Sequence, residues 1–155
     1  MFRKKAYFDR GEIMMAELTI MIPGEPCAQG RPRFSTAGGF VKAYDPVKSR
    51  NYKAFVRMIA QKEIDKQGWK YTELPLTVTI TAYASIPSSK SKKFKQAAIE
   101  GIERPAKKPD PDNIFKCLTD ALSGVAYKDD KQIVDARIHK WYAEVPRVEV
   151  RLKII

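Results

Sequence analysis

Side chains that most often carry nucleophilic or soft-metal chemistry are scarce in this chain, which holds two cysteines and one histidine in 155 residues. Cys27 and Cys117 form no CxxC pair and are accompanied by a single histidine, which excludes zinc ribbons and most thiol- or histidine-based nucleophilic catalysis. His139 falls in a segment of alternating apolar residues and reads as a structural or surface residue, because a lone imidazole rarely works unaided. No stretch approaches about 18 consecutive apolar residues, and Met1 to Lys5 run into Ala-Tyr-Phe-Asp-Arg without an apolar core, so neither a membrane span nor a secretory leader is expected. Reduced thiols and no leader suit a cytoplasmic protein. Internal repeats, low-complexity tracts and linkers are also lacking. Acidic residues are in deficit, 18 against 29 Lys plus Arg, giving a formal charge of +11 and a pI near 9.7. Such a balance favours a polyanion, nucleic acid first and an anionic membrane surface second. Whatever chemistry occurs must come from carboxylates and lysines.

What is present organises into one domain. Residues 1–14 continue no clear pattern, and the purine-rich coding implied by Arg10-Gly11-Glu12 ahead of Met14 and Met15 suggests a native start there, with residues 1–14 as an extension. Glu17 to Ile22 alternates Leu18, Ile20 and Ile22 with polar positions, a half-buried strand closed by Pro23-Gly24. Phe40 to Tyr44 reads as a short partner strand after Gly38-Gly39. Asp45 and Pro46 suit N-cap and first helical position, and Tyr52, Phe55, Val56 and Ile59 recur at helical spacing until Gly68. Leu76 to Ala84 is the clearest strand. Ser88 or Ser89 suits the cap of a helix running to about Glu100. A further helix begins at Asp110, carries Ile114, Leu118, Ala121 and Leu122 as its apolar stripe, and is expected to end at Gly124. After a turn at 128–131, Ile133 to Tyr142 is expected to present Val134, Ala136 and Ile138 on one face, and Arg147 to Ile154 alternates again. The order β-β-α-β-α-α-β-β indicates a single α+β domain, a mixed sheet packed with helices.

Two aspartates stand one residue apart between prolines and a helix in "AKKPDPDNIFKCLTDAL", residues 106–122. Asp110 at an N-cap, Pro111 at N1 and Asp112 at N2 would be a favourable helix start, since carboxylates suit orphan N–H groups and the positive dipole end. Capping leaves Asp129 and Asp130 unexplained. In an extended segment the Cα atoms of Asp110 and Asp112 stand about 6.6 Å apart, close enough to share a cation. Carboxylates held at 4 Å repel by about 4 kcal/mol at an effective dielectric near 20, so a fixed cluster needs a proton or a cation. Oxygen ligands without Cys or His select magnesium or manganese. Lys116, four residues past Asp112, either makes an ordinary i,i+4 salt bridge or sets an ammonium beside a scissile phosphate. From Ser88 to Lys108 seven basic residues (Lys90, Lys92, Lys93, Lys95, Arg104, Lys107, Lys108) face two acidic ones, either a solvated surface or a phosphate track. Taken together, the residues point to a metal-dependent nuclease.

Three segments, "IPGEPCAQGRPRF" at 22–34, "KPDPDNIFKCLTDAL" at 108–122 and "YKDDKQIVDARIHKWY" at 127–142, resemble the RusA family of Holliday junction resolvases of bacteria and their phages. The likeness covers nearly everything from Met15 onward, residues 15–155, although proline here separates the two aspartates. The resemblance implies that Asp110, Asp112 and Asp130 bind metal, with Lys116 as the catalytic lysine and Asp129 a neighbour of undefined role. It further implies Mg²⁺ as cofactor with Mn²⁺ as a substitute, no organic cofactor, and a homodimer that nicks four-way junction DNA symmetrically in recombination and repair, leaving 5′-phosphates. Arg31, Arg33, Lys90, Lys92, Lys93, Lys95, Lys107 and Lys108 are the expected DNA contacts. Two other readings stay open, a non-catalytic binder of branched DNA and a metal nuclease acting on flaps or other branched forms.

Overall fold

A computed structural model describes residues 6–9, 12–44 and 46–155. The framework is a mixed four-stranded sheet in the order β3-β8-β6-β7, built from β3 (Glu17–Pro23), β6 (Leu76–Ser85), β7 (Ile133–Ala143) and β8 (Arg147–Ile154). β8 runs antiparallel to both β3 and β6, while β6 and β7 are parallel. A parallel pair needs a crossover connection, and here it contains α2 (Lys92–Ile99) and α3 (Pro111–Leu122). The long α1 (Val47–Gln67) joins the first part of the chain to β6. The α+β class and the mixed sheet agree with the sequence pattern.

Alternation decides which sheet face is dry. Leu18, Ile20 and Ile22 on β3, Leu76, Val78 and Ile80 on β6, and Val148, Val150 and Leu152 on β8 are fully buried. Val56, Ala60 and Ile64 of α1 and Ile114, Leu118, Ala121 and Leu122 of α3 complete the same core. Tyr127 plugs its end, its hydroxyl donating to Thr119 O at 2.7 Å, and Trp69 Nε1 donates to Ala126 O at 2.9 Å. The opposite face is polar and carries short-range ion pairs such as Arg151 to Glu17 at 3.2 Å.

Several local expectations are corrected. The Lys42–Tyr44 strand (β5) pairs with Arg33–Ser35 (β4) in a separate two-stranded ribbon, and not with Glu17–Ile22. A hairpin of β1 (Ala6–Asp9) and β2 (Glu12–Met15) occupies the segment without pattern, whose runs are too short for alternation to register. Pro46 is the N-cap of α1, one residue later than expected, and Asp45, the expected cap, lies outside the described residues. At α2 the cap is Ser91, not Ser88 or Ser89: its Oγ accepts from Phe94 N at 3.2 Å. α3 ends at Leu122, short of Gly124, whose N–H instead meets Tyr127 O at 2.7 Å. Val134 departs from the face of Ala136 and Ile138 because the β6–β7 register shifts at Leu76/Thr77, leaving it 64% exposed.

Candidate functional site

The site is built around α3. Pro111 occupies the first turn as expected, and Asp110 is the N-cap in extended conformation, but its carboxylate makes no cap hydrogen bond. Capping therefore accounts for the position of Asp110 and not for its side chain. Asp110 and Asp112 are both exposed. Asp112, Lys116 and Asp120 follow at intervals of four and share one stripe of the helix. Lys116 pairs onward along it, to Asp120 Oδ1 at 3.5 Å, where the sequence offered Asp112. Asp120 also meets Lys53 of α1 through Oδ2 at 3.6 Å, and Lys53 is only 6% exposed.

Asp129 and Asp130 open the short 3₁₀ turn ahead of β7. Asp129 is its cap: the carboxylate accepts from Lys131 N at 3.0 Å while Gln132 Oε1 accepts from Asp129 N at 2.8 Å, a reciprocal capping box. The Lys131 hydrogen bond, aided by Asp130, holds the Asp129 carboxyl below its ordinary value. Asp130 is exposed. Tyr127, whose pKa is raised chiefly by burial, also feels Asp130, Asp120 and Asp129.

On the other side of Asp110 stand further cations. Lys140 of β7 is half-buried and donates to Lys107 O, and with Lys107, Lys108 and Pro111 it lines a shallow recess on Asp110. Burial pushes its ammonium below its ordinary value, with Asp110 opposing and Lys107 adding to the shift. Arg104 lies 3.2 Å from the centre of the Trp141 ring, and its Nε donates to Lys140 O at 2.8 Å, which ties the basic loop to the edge strand.

A larger cleft of about 580 Å³ also opens beside Asp110. One wall is the strap 26–33, with Arg31 and Arg33; the other is Lys108 to Asn113, where the Lys108–Pro109 peptide is cis. The strap is held to α3 by the Gln29 N–H, which donates to Asn113 O at 2.9 Å. It also packs so tightly on α1 that a Cβ at Gly30 would stand 2.5 Å from Pro46 Cγ. The structure thus brings Arg31, Arg33, Lys107 and Lys108 to Asp110. The helix α2 group is more dispersed: Lys90 lies over the Phe94 ring at 4.9 Å, Lys95 Nζ donates to Ser88 O at 2.9 Å, and Lys92 and Lys93 are exposed.

Among the described residues no three His, Cys, Asp or Glu side chains stand close enough to hold a metal ion by themselves. The donors suit a different kind of site. Asp110 keeps its carboxylate out of the helix cap, and the exposed oxygen ligands available beside it fit a hydrated hard cation that takes one or two carboxylates and completes its shell with water and phosphate.

Sequence reasoning missed Lys140, Lys53 and Asp120. Two of them had a signal. Lys53 sits on the buried stripe Ser49, Lys53, Val56, Ala60, Ile64, and Lys140 pairs in register with the buried Ala82 of β6, two residues on from Ile138 opposite Ile80. A lysine at a core-facing position asks for a carboxylate partner or an anion.

Uncommitted carboxylates flanked by converging cations on an otherwise basic domain make this a protein that handles the phosphates of nucleic acid. More narrowly, the chain belongs to the RusA family of endodeoxyribonucleases, whose family model matches residues 23–153. These are hydrolases that act on branched junction DNA. A curated relative, the uncharacterized protein YqaN of Bacillus subtilis (strain 168), is 42% identical over 132 residues, covering 84% of this chain and 91% of that protein. Among the described residues no helix is long and apolar enough to cross a membrane.

Proposed function

We propose that this chain is a magnesium-dependent Holliday junction resolvase that makes paired symmetric nicks bearing 5′-phosphate and 3′-hydroxyl ends. The observation that carries this reading is the Asp110 carboxylate, set at a helix start, not used for capping, and bordered by Lys108, Lys140 and the arginine-bearing strap. Asp110 and Asp112, with Asp130 as third ligand, would hold Mg²⁺, with Mn²⁺ as substitute. When bound, such an ion would supply Lewis-acid stabilisation of a phosphate and a lowered pKa for a water molecule. Lys116, held toward Asp120 at 3.5 Å, offers an ammonium to the charge that develops on the phosphate oxygens. Arg31, Arg33, Lys107 and Lys108 clamp the flanking phosphates, and Lys90, Lys92, Lys93 and Lys95 extend the track along α2. A homodimer is the working unit, since a two-fold protein facing a two-fold junction makes the two nicks equivalent. The setting is recombination and repair of bacterial or prophage DNA in the cytoplasm.

The test is a labelled mobile four-way junction incubated with and without Mg²⁺, beside an Asp110→Asn variant. Expected are paired, ligatable nicks that need the metal and fall by at least about 10²-fold in the variant while junction binding persists. Flaps and duplexes in the same panel separate a resolvase from a nuclease for other branched forms. A second reading, a non-catalytic binder of branched DNA, is favoured by the lack of three converging carboxylates among the described residues. It expects binding that survives Asp→Asn changes and no cleavage with Mg²⁺ or Mn²⁺.

A further inference from the structure

The two cysteines, unused by the proposed chemistry, meet beneath the site. Cys27 lies on the strap, and Cys117 lies on the buried side of α3, one turn past the Asn113 carbonyl that receives the strap's Gln29 N–H. The two thiols lie near enough for each to shift the titration of the other. Cys117 is wholly buried, while Cys27, 8% exposed, lines the cleft that opens beside Asp110, so a small solute entering the cleft reaches its sulfur.

Four neighbours bear on reactivity. The Cys117 hydrogen bond, against opposing burial and with help from Lys48, brings the Cys27 thiol down to about 7. The same hydrogen bond and burial hold Cys117 well above the ordinary thiol range, so it stays protonated and serves as donor. In its own protonated form Cys27 donates to Ala28 O at 3.6 Å. The hydroxyl of Tyr52 on α1 is buried with no hydrogen-bond partner among the described residues, and lies within electrostatic reach of both sulfurs. A buried donor without an acceptor calls for an explanation, and an oxygen added to the Cys27 sulfur supplies that acceptor.

We propose that Cys27 and Cys117 are a modification site, a dithiol that hydrogen peroxide converts into a disulfide bridging the strap to α3. The Cys27 thiolate attacks one peroxide oxygen and the O–O bond breaks. Hydroxide leaves and takes up the thiol proton as water, and the sulfur, oxidised by two electrons, becomes a sulfenic acid. The Cys117 sulfur then attacks the sulfenic sulfur. The S–S bond forms, the S–O bond breaks, and hydroxide departs with the Cys117 proton as a second water. Two thiols and one peroxide become one disulfide and two waters, and a small-molecule thiol reverses the change. The bridge closes a long loop and pins the segment that carries Arg31 and Arg33, so it acts whether or not the chain cuts DNA.

The experiment treats the full chain with a slight excess of hydrogen peroxide, then unfolds, alkylates and weighs it, and maps the peptides. Expected are a mass loss of two hydrogen atoms, a Cys27–Cys117 cross-linked peptide, no alkylation, and full reversal by dithiothreitol. The oxidised chain should melt on the order of 10 °C higher and be cut more slowly by trypsin after Arg33. Cys117→Ser should stop at a dimedone-reactive sulfenic acid on Cys27, and Tyr52→Phe should slow its formation. Both cysteines remaining alkylatable after exposure that oxidises free glutathione, or a Cys27 sulfinic acid formed without any bridge, would overturn the proposal in the wild-type chain, with no variant required.

Discussion

Lys116 and Asp120 illustrate how a residue's partner redefines its role. The spacing of Asp112 and Lys116 allows an ordinary helix salt bridge, but the ammonium turns the other way, to a carboxylate that also receives the buried Lys53. Its neighbour thus leaves the Asp112 carboxylate unclaimed by Lys116 and holds the ammonium one turn from it. Lys116→Ala should lower junction cleavage by about 10²-fold, the usual size of losing one transition-state donor, while affinity measured in Ca²⁺ changes much less. An equal fall in both would make Lys116 a phosphate contact only. Gly30 offers a second residue-scale test. Its missing Cβ lets the strap lie on Pro46 and Ser49, and a methyl would meet the rigid Pro46 ring at 2.5 Å. Gly30→Ala should cost about 1–3 kcal/mol in denaturant unfolding, as overpacking does, and should weaken junction binding by displacing the neighbouring Arg31.

At the scale of elements, helix and strand starts were legible where a single local rule governs them. Asp110-Pro111 marked the start of α3, and Gly68, in the left-handed region at φ +70°, stopped α1. Where serines compete, as at 88, 89 and 91, propensity cannot choose, and packing of Phe94 on Tyr142 settles where α2 begins. The register shift that turns Val134 outward is equally non-local, since it depends on how β7 meets β6. The 3₁₀ turn carries a pH signature. Asp129 has its carboxyl pKa depressed in the folded chain by the Lys131 amide, so its stabilisation is complete above the ordinary value of 3.8 and is lost as pH falls through the lower folded value. Asp129→Asn should therefore show a constant stability deficit from neutral pH to about 4, with the two proteins converging in more acidic urea titrations. A deficit that stayed constant to the lowest pH would show the charge to be irrelevant to the cap.

The molecule as a whole is a sheet with one dry face, two helices over that face, and the cations at the edge where β7, the basic loop and the strap approach Asp110. In the proposed interface, binding spread over so many phosphate contacts must respond to salt. The logarithm of junction affinity should fall with that of salt concentration by a slope of several, and Arg31→Ala or Arg33→Ala should each reduce the slope by about 1; an affinity indifferent to salt would remove the strap from the interface. Alone, the sequence determined the class of fold, the polyanionic partner and the aspartates and lysines worth watching, because strand alternation, helical periodicity, net charge and short motifs are local properties of the chain. Only the tertiary structure decided that Lys140 and the strap stand beside Asp110, that Asp120 receives Lys53 of α1, and that Cys27 lies near Cys117. Those neighbours lie on different elements, and their meeting is set by how the buried faces of β6, β8, α1 and α3 pack together, a property no local window of sequence contains.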